Sequence, residues 1–343
     1  MSPTIGIDFD LCLGEAWTLV PFILILEILL EKELAVPNIS KSSRFLLTKG
    51  REIFYNKIAE NEIKTGGTIF RPSMLKLLPT LIKLRQQGKI DHLFIYSNNK
   101  LRELIDACDH ILAIILQKPP FSVKKGALIN EKDQRIHTLT PRIHIDNPCR
   151  NSEILEGKFK EKTFRAIRTC LGENIRKSDL WFIDDTEHHT QLINDLQKQY
   201  ITVEPYEIKI PNRKLAEMFI ESFTIQAFAP NSSTSAIFLK IINIVLPGFI
   251  PTGKEPRPEL IDKLTNTLDR TRPEGSGDLV PGWTPDHSNA DLIKLQSALK
   301  PILLPNLTPI SNILNSYKAP VGGKPISRRN RKRILRTRRK SRR

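Results

Sequence analysis

The sequence is poor in cysteine. Its 343 residues hold four, Cys12, Cys108, Cys149 and Cys170, without a CxxC pair or the Cys/His spacing of a zinc site. A zinc-stapled fold is excluded, and a reduced, intracellular protein is expected. Long apolar runs are missing too. The most hydrophobic stretch, residues 16–30, spans 15 residues and is interrupted by Glu27, against the ~20 that a spanning helix needs. It reads as a buried helix, and stable membrane insertion is not expected. No charged segment followed by a cleavage site is present, and no internal repeat of fixed period is visible.

Acidic residues are absent from residues 328–343, RRNRKRILRTRRKSRR, which carry eleven of the lysines and arginines. The whole chain has a net charge of +16, so residues 1–327 hold only +5 of it. Such a run cannot bury apolar surface and is expected to be disordered when free. A solvated, solubilising end is the plainer reading; Arg328, Arg329, Arg331, Lys332, Arg333, Arg336, Arg338, Arg339 and Lys340 are instead expected to form a nucleic-acid or other polyanion contact of the salt-dependent, sequence-independent kind. The nucleus or a nucleic-acid-rich compartment is the favoured location. Prolines crowd the same end, with 13 of 24 after residue 229. The chain therefore divides into a compact domain over residues 1–205, a Pro-rich helical extension over 206–327 and the basic tail.

With 40% hydrophobic and 26% charged residues, the first part is ordinary globular sequence. Residues 4–9 (TIGIDF), 92–96 (HLFIY) and 180–183 (LWFI) are short continuous apolar runs of strand length, joined by segments of helical periodicity. Further strands are expected near 142–145 and 200–203. Strands alternating with helices predict an α/β fold, a doubly wound, Rossmann-like parallel sheet. Residues 16–68 read as a helical insertion after the first strand. A helix is expected over 162–171, and residues 71–73 (RPS) open another toward Gln87.

Each of the three runs ends in a polar cluster: Asp8-x-Asp10, Ser97-Asn98, Asp184-Asp185. In an open α/β sheet, ligands bind beyond the carboxyl ends of the strands, so the clusters share one cleft. Carboxylates that converge must be protonated or balanced by a cation, and oxygen ligands suit Mg²⁺.

IGIDFDLCL, IYSNN and WFIDDT, in this order, resemble the haloacid-dehalogenase-like phosphatase superfamily over roughly residues 4–204. The resemblance implies an Mg²⁺-dependent phosphatase in which Asp8 is the nucleophile, Asp10 the general acid and base, and Ser97, with Asn98, the phosphoryl contact. Asp8, the Asp10 backbone carbonyl and Asp184 hold the metal, with Asp185 in support. It also implies a lysine between nucleophile and phosphate. Lys158 and Lys160 are the candidates, with Lys177 as an alternative. Cys12 stands where the family usually has Thr or Val. Arg71-Pro72 and the Asp184-Asp185 pair look like the branch of NLI-interacting-factor-like, RNA polymerase C-terminal-domain phosphatases, which favours a phosphorylated protein as substrate. A nucleic-acid 3′-phosphate or nucleotide is the alternative substrate, and a scaffold with little activity, acting through its basic tail, is the alternative from another class.

The remaining notable side chains have plainer readings. Adjacent His188 and His189 cannot share a helix face and are expected as surface or loop residues, near the cleft mouth at most. Cys12, Trp17 and Trp181 are expected to be packing residues.

Overall fold

The structure, a computed structural model, describes residues 2–28, 41–125, 128–130, 136–139, 141–153, 155–156, 159–206, 210–223, 233–252, 254–271 and 285–303. Nine strands occur in these segments: β1 (Thr4–Ile7), β2 (His92–Tyr96), β3 (Ile129–Asn130), β4 (Ile136–His137), β5 (Arg142–Ile143), β6 (Leu155–Glu156), β7 (Phe159–Lys160), β8 (Leu180–Asp184) and β9 (Tyr200–Thr202). Five of them form one sheet in the order β5-β2-β1-β8-β9, with every neighbour parallel. The short pairs β3-β4 and β6-β7 are antiparallel ribbons outside it.

Parallel strands need crossovers, and helices supply them. Pro72–Gln86 precedes β2, Arg102–Gln117 follows it, Phe164–Leu171 precedes β8 and Thr190–Leu196 leads to β9. The chain runs outward from β1 to β5 on one side, then returns to place β8 on the other side of β1. Reversal between β1 and β8 makes their carboxyl ends the switch point of a Rossmann-like sheet, where a crevice opens.

The central strands are apolar because both faces are covered. Phe94, Tyr96 and Phe182 pack with Phe164, Ile167, Leu192 and Leu196 from the flanking helices. The alternate residues Ile5, Ile7, Leu93, Ile95 and Ile183 point the other way and are equally buried. At ~1.5–3 kcal/mol for each large side chain removed from water, these two layers dominate the stability of the sheet. Gly6 is the one small residue in the middle. A Cβ there would lie 2.5 Å from the Phe182 ring and 2.7 Å from that of Phe94.

Between β1 and β2 lies the insertion: turns of helix over Trp17–Leu19, Val20–Ile23 and Leu24–Ile28, then the long helix Lys41–Thr65. Glu27, the charge in the apolar run, is buried and accepts from Tyr55 Oη at 2.6 Å and Arg51 Nη1 at 3.3 Å. No described helix is long and apolar enough to cross a membrane.

Residues 1–299 form one compact unit. Helices beyond residue 205 therefore pack with the sheet domain: Asn212–Ser222 lies against Lys41–Thr65, and Pro285–Ala298 against Pro72–Gln86. From Lys300 onward the chain is a second unit, of which the turn Lys300–Leu303 is described. The basic residues Arg328, Arg329, Arg331, Lys332, Arg333, Arg336, Arg338, Arg339 and Lys340 lie outside the described residues.

One expectation is corrected. The cysteines are not all thiols: Cys149 and Cys170 are bonded to each other, with Cα atoms 5.1 Å apart, while Cys12 and Cys108 are free and buried. The pair stands 21 positions apart in the sequence, so no sequence motif announces it; the packing of Phe164–Leu171 against Pro148–Arg150 does.

Candidate active site

β1 and β8 end side by side, and the main chain keeps them in step: Asp8 N donates to Ile183 O at 2.8 Å. This register puts Asp8 beside Asp184. Asp185 completes a group of three carboxylates whose oxygens lie within 4.8 Å of one another. The cation that meets them is Lys162, whose buried Nζ donates to Asp8 Oδ1 at 2.6 Å and to Asp184 Oδ2 at 2.8 Å.

Lys162 was not among the candidates. Of those, Lys158 lies outside the described residues. Lys160 turns its amine to Ile145 O at 3.1 Å, and exposed Lys177 pairs with Asp195. Lys162 stands one residue before Thr163, whose side chain accepts from Ala166 N at 3.1 Å and caps the helix Phe164–Leu171. The amine thus belongs to the loop and not to the helix expected from residue 162.

Asp10 is held from the β2 side. Its Oδ2 accepts from Ser97 Oγ at 3.3 Å and its Oδ1 from Asn99 Nδ2 at 3.0 Å, while Asn99 N donates to Ser97 Oγ at 2.9 Å. Asn98 does not reach this group. Its amide is spent on Lys160 O (3.0 Å) and on Arg150 Nη2 (2.8 Å), so Asn99 stands where Asn98 was expected.

Burial raises the carboxyls. Asp8 is pushed well above the carboxylate range by desolvation, with Lys162 opposing and Asp184 and Asp10 adding to the rise. Desolvation also raises Asp10, against the hydrogen bonds of Asn99 and Ser97. Asp185 is pushed up to about 6 by desolvation and the neighbouring Asp184. One ammonium among four acids leaves excess negative charge, and three convergent carboxylates are a hard oxygen donor set. Together they fit a divalent cation such as Mg²⁺.

Two buried arginines frame the loops. Arg71, fully buried, donates from Nε to Cys12 O at 2.8 Å and from Nη2 to Leu11 O at 2.8 Å, and also to Glu204 O and to the Asp291 carboxylate. It thereby fixes the loop that follows Asp8 and Asp10, in which Leu11 adopts a left-handed φ of 57°. Gly14 lets this loop touch residues 69–70; a Cβ there would meet Ile69 O at 2.1 Å. Arg150 donates to Ser97 O at 2.6 Å and to Glu153 Oε2 at 2.6 Å, and Glu153 also accepts from Tyr96 Oη and Thr163 N. The Arg150–Glu153 pair therefore joins the Ser97 strand end to the Lys162 loop.

Two plain readings change. His189 lies in the loop before Thr190–Leu196, as one of the two readings had it, but is buried: its Nδ1 accepts from Lys162 N at 3.2 Å, and burial, then the Lys162 charge, holds its imidazole down to about 3. His188 is exposed, as adjacent residues pointing apart require. Trp17 is 53% exposed instead of core. Cys12 does pack: it is fully buried, its Sγ donates to Ile183 O at 3.4 Å, and desolvation pushes its thiol up, so it is no nucleophile.

No protein-family model, curated protein or solved structure matches the chain.

Proposed function

We propose that the chain is a phosphomonoester hydrolase of the haloacid-dehalogenase-like type, working through a phosphoaspartyl intermediate on Asp8. The observation that carries this reading is the Lys162 amine between Asp8 and Asp184, with Asp10 two residues on and bonded to Ser97. An anion entering the crevice meets a nucleophilic carboxylate, a fixed cation and a protonatable acid at once.

Asp8 attacks phosphorus as the bond to the ester oxygen breaks, and the Asp10 proton passes to that oxygen, which leaves as an alcohol. Water then attacks the phosphorus of the acyl phosphate. Asp10, now a carboxylate, takes a proton from that water, and inorganic phosphate leaves with the Asp8 carboxylate restored. Ser97 and Asn99 orient Asp10 for both transfers. Lys162 offsets the charge of Asp8 as a second anion approaches. Asp8, Asp184 and Asp185 would hold Mg²⁺, which when bound screens the phosphate from the carboxylates. Burial raises the Asp10 carboxyl, the direction that a general acid needs. The basic run at 328–343 carries polyanion affinity in a segment separate from this chemistry.

The test is phosphate release from p-nitrophenyl phosphate by the full chain with Mg²⁺ and with EDTA, beside Asp8→Asn. Mg²⁺-dependent turnover that vanishes in the variant supports the reading. Equal turnover in both proteins, or turnover indifferent to EDTA, overturns it.

A further inference from the structure

We propose that the Cys149–Cys170 disulfide is a redox control on the candidate site. Oxidised, it holds Lys162 in place against Asp8 and Asp184; reduced, it frees the amine and turnover falls. The loss of turnover rests on the phosphatase reading above, whereas the control over Lys162 does not.

The bond closes a loop, and that loop carries the connections of the site. Cys149 lies in the turn Pro148–Arg150, where its N donates to Asn147 Oδ1 at 3.2 Å, and Cys170 lies in the helix Phe164–Leu171. Arg150, Glu153, Lys162 and Thr163 all fall between the two cysteines. Arg150, the residue after Cys149, donates from Nη1 to Ser97 O at 2.6 Å, from Nη2 to Asn98 Oδ1 at 2.8 Å and from Nε to Glu153 Oε2 at 2.6 Å. Its guanidinium also lies 4.3 Å from the centre of the Tyr96 ring. Glu153 Oε1 accepts from Thr163 N at 2.9 Å, and Thr163 is both the neighbour of Lys162 and the cap of the helix that carries Cys170. One sulfur is therefore anchored beside the group that holds the Ser97 strand end, and the other on the helix that begins directly behind Lys162.

Two further observations set this bond apart from a structural staple. Residues 1–299 form one unit with its own apolar core, which does not need a cross-link to fold. Its effect is therefore local, a restriction on the freedom of the segment it closes. Access differs too. Cys149 and Cys170 are half-buried, within reach of a small thiol, while Cys12 and Cys108 are fully buried. A dithiol attacks one sulfur of the pair as the bond between them breaks, and its second thiol then displaces that sulfur and closes a disulfide of its own. Two electrons and two protons pass to the protein, which then holds two thiols, and a small disulfide reverses the exchange.

The full chain, purified without reductant, is compared before dithiothreitol, after it, and after reoxidation by glutathione disulfide. Three readouts are taken: non-reducing peptide mapping of the cross-link, labelling of Lys162 by an N-hydroxysuccinimide ester, and kcat on p-nitrophenyl phosphate with Mg²⁺. Reduction is expected to raise Lys162 labelling about fivefold and to lower kcat about 10-fold or more, toward the ~10²-fold that a misplacement of ~1 Å costs. Reoxidation restores both. Cys170→Ala without dithiol is expected to match the reduced wild type and to ignore dithiol. Reduction of the wild type makes the same break in a folded chain, so the test does not depend on the variant folding. A missing Cys149–Cys170 cross-link, Lys162 labelling that dithiol leaves unchanged, or turnover indifferent to reduction overturns the proposal. A loss accompanied by unfolding in the far-ultraviolet circular dichroism assigns the bond to stability and overturns it too. Absence of turnover in both redox states counts against the phosphatase reading instead, and the labelling of Lys162 then decides the control by itself.

Discussion

Lys162 Nζ lies 2.6 Å from Asp8 Oδ1 and 2.8 Å from Asp184 Oδ2, so one ammonium joins the ends of two adjacent parallel strands. The two acids raise the Lys162 amine above its ordinary range, overcoming a burial that by itself would lower it. Replacing it by methionine keeps the volume and removes the charge. Lys162→Met is expected to lower kcat on an aryl phosphate by about 10²–10³-fold, the usual effect of deleting one fixed stabilising group. A kcat within threefold of wild type defeats the assignment.

The same pair has a consequence in alkali. Because the folded pKa of Lys162 exceeds the unfolded value, its stabilisation is complete below ~10.4 and disappears as pH rises through the folded value. Urea unfolding at pH 9, 10 and 11 is expected to show a fall in stability that is steeper in wild type than in Lys162→Met. Parallel falls rule the contribution out. Tyr200 and Tyr206, also raised, titrate in both proteins and cancel in the difference.

Arg71 and Asp291 are 220 residues apart and both buried. Removing one member of a buried pair leaves the other charge uncompensated, which costs ~3–5 kcal/mol. Asp291→Asn is expected to lose stability on that scale and to lower turnover as well, since Arg71 also holds the carbonyls of Leu11 and Cys12 beside the acids. Truncation after residue 284 is expected to act like Asp291→Asn, whereas truncation after 303 leaves this contact whole. Denaturant midpoints for the three proteins decide it.

Glu62 does for the neighbouring segment what Arg71 does for the loop. It is buried near the end of the helix Lys41–Thr65, and its Oε2 accepts the amides of Thr68, Ile69 and Phe70, each at 2.9 Å. Glu62→Ala orphans three amides, at ~1–3 kcal/mol for each one that water does not reach. A loss of about 3 kcal/mol or more in urea unfolding is expected, and Glu62→Gln, which keeps one acceptor, is expected to lose less. A loss below about 1 kcal/mol for Glu62→Ala means that water replaces the carboxylate.

What was legible in the sequence follows from how each feature is encoded. β2 and β8 stand out because buried parallel strands are continuously apolar, and HLFIY and LWFI are bounded by polar residues. Asp8, Asp10, Ser97, Asp184 and Asp185 stand out because they end those runs. Lys162 did not, because apolar periodicity carried the helix back through Thr163, and only the capping threonine marks where it begins. Asn98 and Asn99 differ in direction, which a polar loop leaves unwritten. Arg150, Glu153 and Cys149 sit in a stretch without periodicity, and their partners are set by tertiary packing.

His189 gives the last prediction. Its Nδ1 accepts from Lys162 N, so the proton of the neutral ring is on Nε2, 3.8 Å from Asp184 Oδ2. Held down to about 3, chiefly by burial and then by the Lys162 charge, the ring is neutral at every pH at which the site works, and the contact to Asp184 is not an ion pair. A base whose folded pKa lies below its unfolded ~6.5 is protonated more readily in the unfolded chain. Its contribution to stability is complete above ~6.5 and declines as pH falls toward 3. His189→Gln keeps an acceptor for Lys162 N but cannot take a proton. Between pH 7.5 and 4.5, in EDTA, urea unfolding is expected to show wild type losing more stability than His189→Gln, while Asp185 and the other carboxyls titrate in both. Equal losses mean that His189 is protonated in the folded chain. In that case its ring sits as a second cation beside Lys162, the excess negative charge around Asp184 is smaller, and the need for a divalent ion at Asp8, Asp184 and Asp185 falls with it.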